Sequence, residues 1–578
     1  MSNDHKTPKK KDSSTKKKSF KVNRIKNPLI AGSFVAALAI AGIVGGMILF
    51  GEQDRTEEKK KLILGLNWGP QSFDPLLYPY PAIENFYMYD QVAEGLFDYD
   101  NQNKTNPIVL NLAETFNWSV DFLNLTCSLR EGIRFHDGTR FNAAAVKWTI
   151  DRVYRLLGQA SWWIPTIWLL PDGITPIVNE TIVIDEYTVR FVLNQRFSPL
   201  LSVLFHPSSY ILSPTSTPYN RLINFNNETL VGTGPYILDS FFYDHNTTLI
   251  ANPNYWNGGL DIDEVIFKSL EGNHSRKLEE ILSGKLSFTY GVFEADEQVS
   301  LQNAGITVLS LITSGHWYIS MNYERINTTM RKAISYAFNY THYFEEIYTS
   351  PTIRLKSYLP FPFTYSNWTA FDVPDYDIIK ARQALKDSNW PGTSGLTVSD
   401  DISPGNEWEL KANSSTPLAT YNASAPYDSW FLNITSNLVS ENLKQIGVKV
   451  ELINTSRGDY YDYAEEGNID FAFFGYFPDY NDPSNVLTPL FLNSSDLNWN
   501  RVNDPLIQHL LEEGIEESDP TVRKQIYHDL QQHLIEEIYP HLLLGADVMY
   551  HCWNQTVQGI LSAYRSEFSF LLKDLYLN

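Results

Sequence analysis

The chain has 578 residues, with 67 acidic and 45 basic side chains and a formal net charge of −22. A single hydrophobic core does not grow to this size, so we expect two or three domains. The charge is uneven, because residues 1–50 carry ten Lys or Arg and two Asp, which leaves a net charge of −30 on the rest of the chain. A body this acidic repels nucleic acid, so no nucleic-acid partner is expected.

The first 61 residues have the composition of a membrane anchor and its flanks. Residues 1–27 are polar and basic, and residues 28–50 contain no charged side chain. A segment of this length crosses a hydrocarbon core of about 30 Å, and a basic flank stays in the cytoplasm. We predict a basic cytoplasmic tail (1–27), one transmembrane helix (28–50), a linker (51–61) and an extracellular body, in a single-pass protein of the cell membrane. A cleaved signal peptide is the alternative for the apolar segment.

The first part of the body combines short strands with single helices. Apolar runs and alternating patterns predict the strands, and apolar residues at helical spacing predict the helices. Residues 110–191 have the pattern of a compact α+β insert. The predicted elements are a strand over residues 61–68, a helix over 84–97, a strand over 123–129, a helix over 142–157 and a strand over 188–193.

After about residue 312 the pattern changes to alternating helices and strands. Met330, Ile334 and Phe338 have helical spacing, and Gly447 ends a second helix before a strand over residues 448–452. Asp519, followed by Pro520, is an N-cap signal for a further helix. This alternation predicts an α/β lobe with a mostly parallel sheet.

The stretch 475–483, Gly-Tyr-Phe-Pro-Asp-Tyr-Asn-Asp-Pro, carries the most informative pattern in the chain. It follows the apolar run 471–474, so it reads as a buried strand that ends in a rigid, acidic and aromatic turn. Binding groups concentrate in loops at strand ends. Asp479 is therefore a candidate binding carboxylate. An Asx turn or a helix N-cap is the alternative for an aspartate beside proline.

Nine short motifs occur in an order that resembles bacterial extracellular solute-binding protein family 5. These proteins deliver peptides, some oligosaccharides and nickel to ABC importers. The motifs span more than 400 residues of the chain, and each is weak alone. They are residues 73–75, 94–97, 112–114, 129–139, 232–236, 252–256, 330–337, 443–448 and 475–483.

The resemblance implies an α/β fold of the periplasmic-binding-protein type. This fold is a two-lobed clamp that closes on its ligand by hinge motion, with an extra α+β subdomain inserted in lobe I. The hinge is expected near residues 310–316 and 543–547. The implied boundaries are residues 62–95, 192–312 and 546–578 for lobe I, 96–191 for the subdomain and 313–545 for lobe II.

The resemblance also implies which residues bind the ligand. In the peptide binders, the aspartate at the position of Asp479 pairs with the ligand's α-ammonium group. Tyr476, Tyr290, Trp317 and Trp162 lie at or near pocket positions of the family. A core tyrosine is the alternative for Tyr476, and a core aromatic is the alternative for Trp162.

Two positions depart from the family pattern. Phe473 and Arg457 lie on strands where oligopeptide binders tend to have Arg and Trp, which puts recognition of a peptide's carboxylate in doubt. Arg457 could supply that cation from another strand, or it is a solvated surface residue.

The implied function is that of an extracellular receptor for an ABC importer. We expect a monomer that binds peptides, works with permease subunits in the membrane and has no cofactor and no catalytic residue. An oligosaccharide receptor of the same family is the alternative. From other classes, we weigh a glycoside hydrolase with two carboxylates and an envelope or adhesion protein that does not transport.

Sixteen Asn-x-Ser/Thr sequons lie beyond the apolar segment, where composition alone gives roughly six of these N-glycosylation acceptor sites. This excess predicts a glycosylated exterior surface. The sequons begin at Asn103, Asn117, Asn124, Asn179, Asn227, Asn246, Asn273, Asn327, Asn339, Asn367, Asn413, Asn422, Asn433, Asn454, Asn493 and Asn554.

The chain has two cysteines, Cys127 and Cys552. They could form one disulfide outside the cell, or Cys127 could be a core thiol, because it lies in an alternating apolar run. The twelve histidines are scattered, without metal-ligand spacing, so no metal site is expected.

Overall fold

The computed structural model describes residues 59–77, 83–100, 107–224, 228–243, 245–348, 351–359, 365–366, 371–566 and 569–578. The predicted tail, transmembrane helix and most of the linker lie outside these residues, as do the sequons at Asn103, Asn227 and Asn367. Within the described residues, no helix is both long and apolar enough to cross a membrane.

Strands and short helices alternate in the first half of the body, in chain order. They are β1 (Lys61–Leu66), α1 (Ile83–Val92), β2 (Phe97–Tyr99), β3 (Ile108–Leu110), β4 (Ala113–Trp118), β5 (Asn124–Leu129), α2 (Ala143–Leu156), α3 (Ile164–Trp168), β6 (Val178–Asp185), β7 (Thr188–Leu193), α4 (Leu200–Val203), β8 (Tyr236–Phe241), β9 (Asn246–Ala251), β10 (Glu264–Ser269), α5 (His274–Leu282), β11 (Phe288–Gly291), α6 (Ala295–Asn303) and β12 (Ile306–Ile312).

The second half contains longer helices. Its elements are β13 (His316–Met321), α7 (Thr328–Ala337), α8 (Tyr340–His342), β14 (Thr352–Arg354), α9 (Ile378–Asp387), α10 (Glu407–Ala412), β15 (Ala419–Pro426), α11 (Trp430–Lys444), β16 (Val448–Thr455), α12 (Arg457–Glu465), β17 (Phe471–Tyr476), α13 (Pro483–Phe491), α14 (Pro505–Glu516), α15 (Pro520–Gln532), β18 (His541–Leu543), β19 (Gly545–Asn554), β20 (Val557–Gln558), α16 (Ile560–Ala563), β21 (Tyr564–Ser566), β22 (Ser569–Phe570) and β23 (Tyr576–Leu577).

The helices and strands predicted for the body are confirmed, with ends shifted by a few residues. Local chemistry explains several of these ends. The side chain of Asn142 accepts a hydrogen bond from the backbone N–H of Ala145 at the start of α2, at 3.1 Å. Asp519 caps α15 in the same way through the N–H of Thr521, at 2.8 Å. Gly447, with a φ of +76°, adopts the left-handed conformation that ends α11.

Eight strands of the described residues form the first sheet, in the order β12-β19-β11-β1-β10-β9-β8, with β14 paired to β19. Strand β1 runs parallel to both β10 and β11, so the carboxyl ends of these three strands lie at one edge. We call this sheet, with α1, α5 and α6, lobe I.

Five strands of the described residues form the second sheet, in the order β16-β15-β17-β13-β18. Strand β15 runs parallel to β16 and β17, which places the carboxyl ends of these three at one edge. We call this sheet, with helices α7 and α9 to α15, lobe II.

A third, antiparallel sheet has the order β4-β5-β7-β6 and lies within the predicted α+β insert. Helix α2 contacts two of its strands. Its core is continuous with that of lobe I, whereas most of the buried apolar residues of lobe II form separate clusters. The boundaries between the lobes and the insert stay a prediction.

The two cysteines do not form a disulfide. Cys127 lies in β5 of the third sheet and Cys552 in β19 of lobe I, and both are buried free thiols. Burial raises the pKa of each thiol to about 12, because an apolar environment disfavours the thiolate.

Two short connections join lobe I to lobe II, and β14 also reaches from the chain of lobe II to pair with β19 of lobe I. The chain leaves lobe I after Ile312 and enters lobe II at His316, and it returns through Leu544 between β18 and β19. Backbone hydrogen bonds join the two connections. The N–H of Thr313 donates to the carbonyl of Asp547 at 2.9 Å, and the N–H of Leu544 donates to the carbonyl of Trp317 at 3.0 Å.

Candidate ligand-binding cleft

The candidate cleft lies where the carboxyl edges of the two parallel strand sets meet. In open α/β sheets, ligands bind in the crevice beyond the carboxyl ends of the strands. In lobe I this edge is formed by the segments after Leu66, Ser269 and Gly291. In lobe II it is formed by the segments after β15, β16 and β17, and the last of these contains Asp479.

The two lobes touch beside this edge. The side-chain amide of Asn481 donates to the hydroxyl of Tyr99 in β2. The ring of Tyr480 packs into the core cluster of lobe I, although Tyr480 belongs to the chain of lobe II. On another side, the N–H of Ser198 donates to the carbonyl of Ile515 at 2.8 Å. The Asp479 turn therefore contacts the opposite half of the molecule.

The Asp479 turn is built around one amide side chain. The Oδ1 atom of Asn485, in α13, accepts from the N–H of Asp479 at 2.6 Å and from the N–H of Tyr480 at 3.4 Å. The carbonyl of Asn485 in turn accepts from the hydroxyl of Tyr476 at 2.6 Å. The turn geometry therefore depends on contacts with α13 as well as on its own prolines.

The two carboxylates of the turn have different partners. Asp482 caps α13 and forms a buried, two-pronged ion pair with Arg523, at 2.6 and 2.8 Å. Asp479 is mostly buried, and no Lys or Arg of the described residues pairs with it. Burial raises the pKa of Asp479 to about 7, partly opposed by a hydrogen bond with Asn485. Asp482 is thus paired with a basic residue of the protein, while Asp479 has no counter-ion among the residues that the structure describes.

Trp317 and Tyr476 lie beneath the turn on neighbouring strands. The Trp317 ring stacks on Phe473 at a centroid distance of 5.5 Å and meets Phe477 edge-on at 5.8 Å. Gly475 allows this packing, because a Cβ atom there would lie 2.3 Å from the Trp317 ring. Tyr476 is buried in the core of lobe II, and its hydroxyl supports Asn485.

Tyr290 lies on the lobe I side, at the end of β11, and is buried. Its hydroxyl donates to Glu84 at 2.7 Å, and its carbonyl accepts from the Lys277 ammonium at 2.8 Å. Burial lowers the pKa of Lys277 to about 8 and raises the pKa of Glu84. Lys277 also donates to Asn67 at 2.5 Å, just after β1. Tyr290 therefore supports the carboxyl edge of lobe I from below.

Trp162 stands apart from the other candidates. Its side chain is 68% exposed, and its ring contacts the neighbouring Trp163 edge-on at 5.4 Å. Trp317, Tyr476 and Asp479 are brought together on lobe II. Tyr290 lies on the opposite lobe.

Three exposed aromatic residues at the strand ends were not predicted as site residues. Trp68 follows β1, and Tyr427 and Trp430 follow β15; their exposed fractions are 46%, 71% and 68%. The prediction that Arg457 lies on a strand is wrong, because Arg457 is the first residue of α12, just after β16 at the same edge, and lies 3.5 Å from Asp428. Their position after strands was the available signal, but β15 is too polar for an apolar pattern to show it.

Among the described residues, no group of three His, Cys, Asp or Glu side chains is placed to hold a metal ion.

A family model supports the fold and the class of the protein. The model described as "Bacterial extracellular solute-binding proteins, family 5 Middle" matches residues 107–498, which is more than half of the chain. The chain belongs to this family. It is a solute-binding protein of the class that serves ABC importers, and not an enzyme, so the glycoside hydrolase alternative is discarded.

Known relatives agree with this family. The solute-binding protein is 24% identical over 496 residues to the glutathione-binding protein GsiB of Pectobacterium atrosepticum, covering 83% of this chain and 88% of the relative. Two solved structures show the same two-lobed fold, and each match covers 90% of this chain and 100% of the other. They are HbpA2 from Haemophilus parasuis (19% identity, TM-score 0.75) and a dipeptide-binding protein from Pseudoalteromonas in complex with Met-Leu (20% identity, TM-score 0.66).

Proposed function

We propose that this solute-binding protein binds peptides in the cleft and that Asp479 receives the ligand's ammonium group. The observation that carries the proposal is the buried carboxylate of Asp479, which has no basic partner within the described residues. Burying an unpaired charge is costly, and a ligand cation removes that cost. At reduced dielectric such a pair gains several times the ~1 kcal/mol that it gains in water.

The relatives favour a peptide as the ligand class. One is a glutathione-binding protein, and one solved structure holds the dipeptide Met-Leu. A peptide with a free amino end supplies the cation that Asp479 lacks. Trp317 packs against Gly475, and the hydroxyl of Tyr476 holds Asn485, so both residues position the Asp479 turn. Tyr290 supports the facing edge of lobe I. Trp162 remains a proposed contact for longer ligands, because its ring is exposed.

The test compares Asp479→Asn with the wild type in calorimetric titrations with Met-Leu. Loss of a desolvated charge pair costs about 2–5 kcal/mol, so affinity should fall by roughly thirtyfold or more. N-acetyl-Met-Leu should bind the wild type poorly, and Glu441→Gln, on the exposed surface of α11, should bind normally. Equal affinities of the wild type and Asp479→Asn for Met-Leu would discard the assignment.

A neutral oligosaccharide is the second candidate ligand. It is favoured by the exposed rings of Tyr427 and Trp430 at the lobe II edge, because flat aromatic faces suit sugar rings. Asp479 would then accept hydrogen bonds from hydroxyl groups. The same titrations with neutral oligosaccharides decide between the two, since a sugar receptor binds them and ignores peptides. Binding of neither would favour the non-transporting envelope or adhesion protein over both candidates.

We further propose that residues 28–50 anchor the protein, with the N-terminus inside and a glycosylated body outside, beside permease subunits of an ABC importer. The support is the uncharged segment 28–50, its basic flank and the sequon excess. Protease added to intact cells should digest the body and leave a small basic stub. Complete protection of the body would refute this orientation, and a mature N-terminus beyond residue 45 would indicate a signal peptide.

A further inference from the structure

The sequon asparagines are segregated from the protein interior. Thirteen of the sixteen lie within the described residues, and none of these thirteen is buried. Of the 23 other described asparagines, eight are buried, with exposed fractions of 8% or less. These eight are Asn85, Asn111, Asn252, Asn322, Asn406, Asn485, Asn498 and Asn500.

This segregation is what glycosylation requires of a folded chain. A glycan on the side-chain nitrogen is bulky and solvated, so it cannot lie within a packed core. If the sequon asparagines were buried as often as the other described asparagines, roughly four or five of the thirteen would be buried. Their number and their placement are separate observations that point the same way.

The amide oxygen and the amide nitrogen have separate roles at two helix starts. The Oδ1 atom of Asn273 accepts from the N–H of Arg276 at 2.9 Å and caps α5. Asn327 caps α7 in the same way, through the N–H of Met330 at 3.0 Å. A glycan bonded to Nδ2 leaves these oxygen contacts intact, so the caps are compatible with modification.

Hydrogen bonds divide the thirteen described sequons further. The Nδ2 atom of Asn433 donates to two carbonyls, at 2.7 and 2.9 Å. Asn422 donates to the carbonyl of Asn468 at 3.2 Å, and Asn493 donates to Asn503 at 3.3 Å. A glycan at these three positions would replace or distort those contacts.

We propose that seven exposed asparagines, whose Nδ2 atoms donate to no described protein group, carry N-linked glycans. This rests on the proposed exterior location of the body. In each transfer, the amide nitrogen attacks the anomeric carbon of a glycosyl donor activated as a pyrophosphate ester. The N–C bond forms, the C–O bond breaks with its electron pair going to the pyrophosphate, and the amide loses one proton. The seven are Asn117, Asn179, Asn246, Asn273, Asn327, Asn413 and Asn454.

The test is glycopeptide mass spectrometry on the full-length protein purified from its own cells. Occupancy at a majority of the seven, and lower occupancy at Asn422, Asn433 and Asn493, supports the proposal. Occupancy at a minority of the seven, or higher occupancy at those three, overturns it. Failure here is distinguishable from failure of the exterior location on which it rests, because protease added to intact cells digests an exterior body whether or not it carries glycans.

A pair of variants in α7 isolates one site without removing the cap. Thr329→Ala destroys the sequon at Asn327, whereas Thr328→Ala keeps it, and both leave Asn327 in place. The intact mass should fall by one glycan in Thr329→Ala only. Equal masses, apart from the amino-acid change, would show that Asn327 carries no glycan and count against the proposal.

Discussion

Asp479 and Asp482 are three residues apart but differ in what balances their charge. Arg523 pairs with Asp482, and both side chains are almost fully buried. No Lys or Arg of the described residues pairs with Asp479, so burying its carboxylate costs free energy. A binding group with this property makes the free protein less stable and the liganded protein more stable, because the ligand supplies the missing charge.

The cost at Asp479 can be measured as a pH dependence. Its pKa of about 7 in the folded protein exceeds the value of about 3.9 in an unfolded chain. The contribution of Asp479 to the free energy of unfolding is fully present below about pH 4 and is lost as the pH rises through about 7. Asp479→Asn removes this titration. The quantity to compare is the free energy of unfolding of the wild type minus that of the variant, both without ligand. This difference should fall by about 1–3 kcal/mol between pH 5 and pH 8.

Urea denaturation of both proteins at the two pH values checks this expectation. All other groups titrate in both proteins, so they cancel in the difference. The matched control is Asp482→Asn, which should be destabilised by about 3–5 kcal/mol at both pH values, because it leaves Arg523 buried and unpaired. A wild-type-minus-variant difference for Asp479→Asn that stays constant from pH 5 to pH 8 would contradict the assigned environment.

At the scale of elements, most of the fold was predictable from local pattern. Asn142 and Asp519 mark helix starts that the structure contains, because capping is a short-range interaction. The side chains at strand ends were harder. Tyr476 and Tyr427 both end or follow a strand, yet Tyr476 is buried and Tyr427 is 71% exposed. Which of them faces the cleft depends on packing between lobes, and no single segment of sequence carries that information.

The turn of Asp479 depends on a close approach between β17 and β13. An alanine at Gly475 would place its Cβ 2.3 Å from the Trp317 ring. That ring cannot easily move, because it stacks on Phe473 and its indole N–H donates to Asp547 at 3.0 Å. Gly475→Ala should lower the free energy of unfolding by about 1–3 kcal/mol, which is the usual cost of overpacking, and it should weaken peptide binding.

Thermal unfolding and titration with Met-Leu provide the two measurements for Gly475→Ala. Gly458→Ala is the control, since its Cβ would meet only one side-chain oxygen, at 3.9 Å, within helix α12. If Gly475→Ala is as stable as Gly458→Ala and binds peptide normally, Trp317 does not constrain the turn.

At the scale of the whole molecule, the two lobes are joined by contacts on several sides. They include Asn481 with Tyr99 beside the cleft, Ser198 with Ile515 on another side, and the pairing of β14 with β19. The connections between the lobes are short, at residues 313–315 and at Leu544. Interfaces of this kind permit relative motion of the joined parts unless something holds them. A ligand held between Asp479 and the edge of lobe I would provide that hold.

Solution scattering tests this expectation on the 52–578 ectodomain. A compact chain of this length has a radius of gyration of about 24 Å, and the free protein should exceed this value because its lobes separate. Saturating Met-Leu should reduce the radius, since closure expels water from the cleft. Asp479→Asn should stay expanded at the same peptide concentration, and the forward scattering should report a monomer throughout. A profile that is identical with and without peptide, in a protein shown by calorimetry to bind it, would mean that binding does not close the clamp.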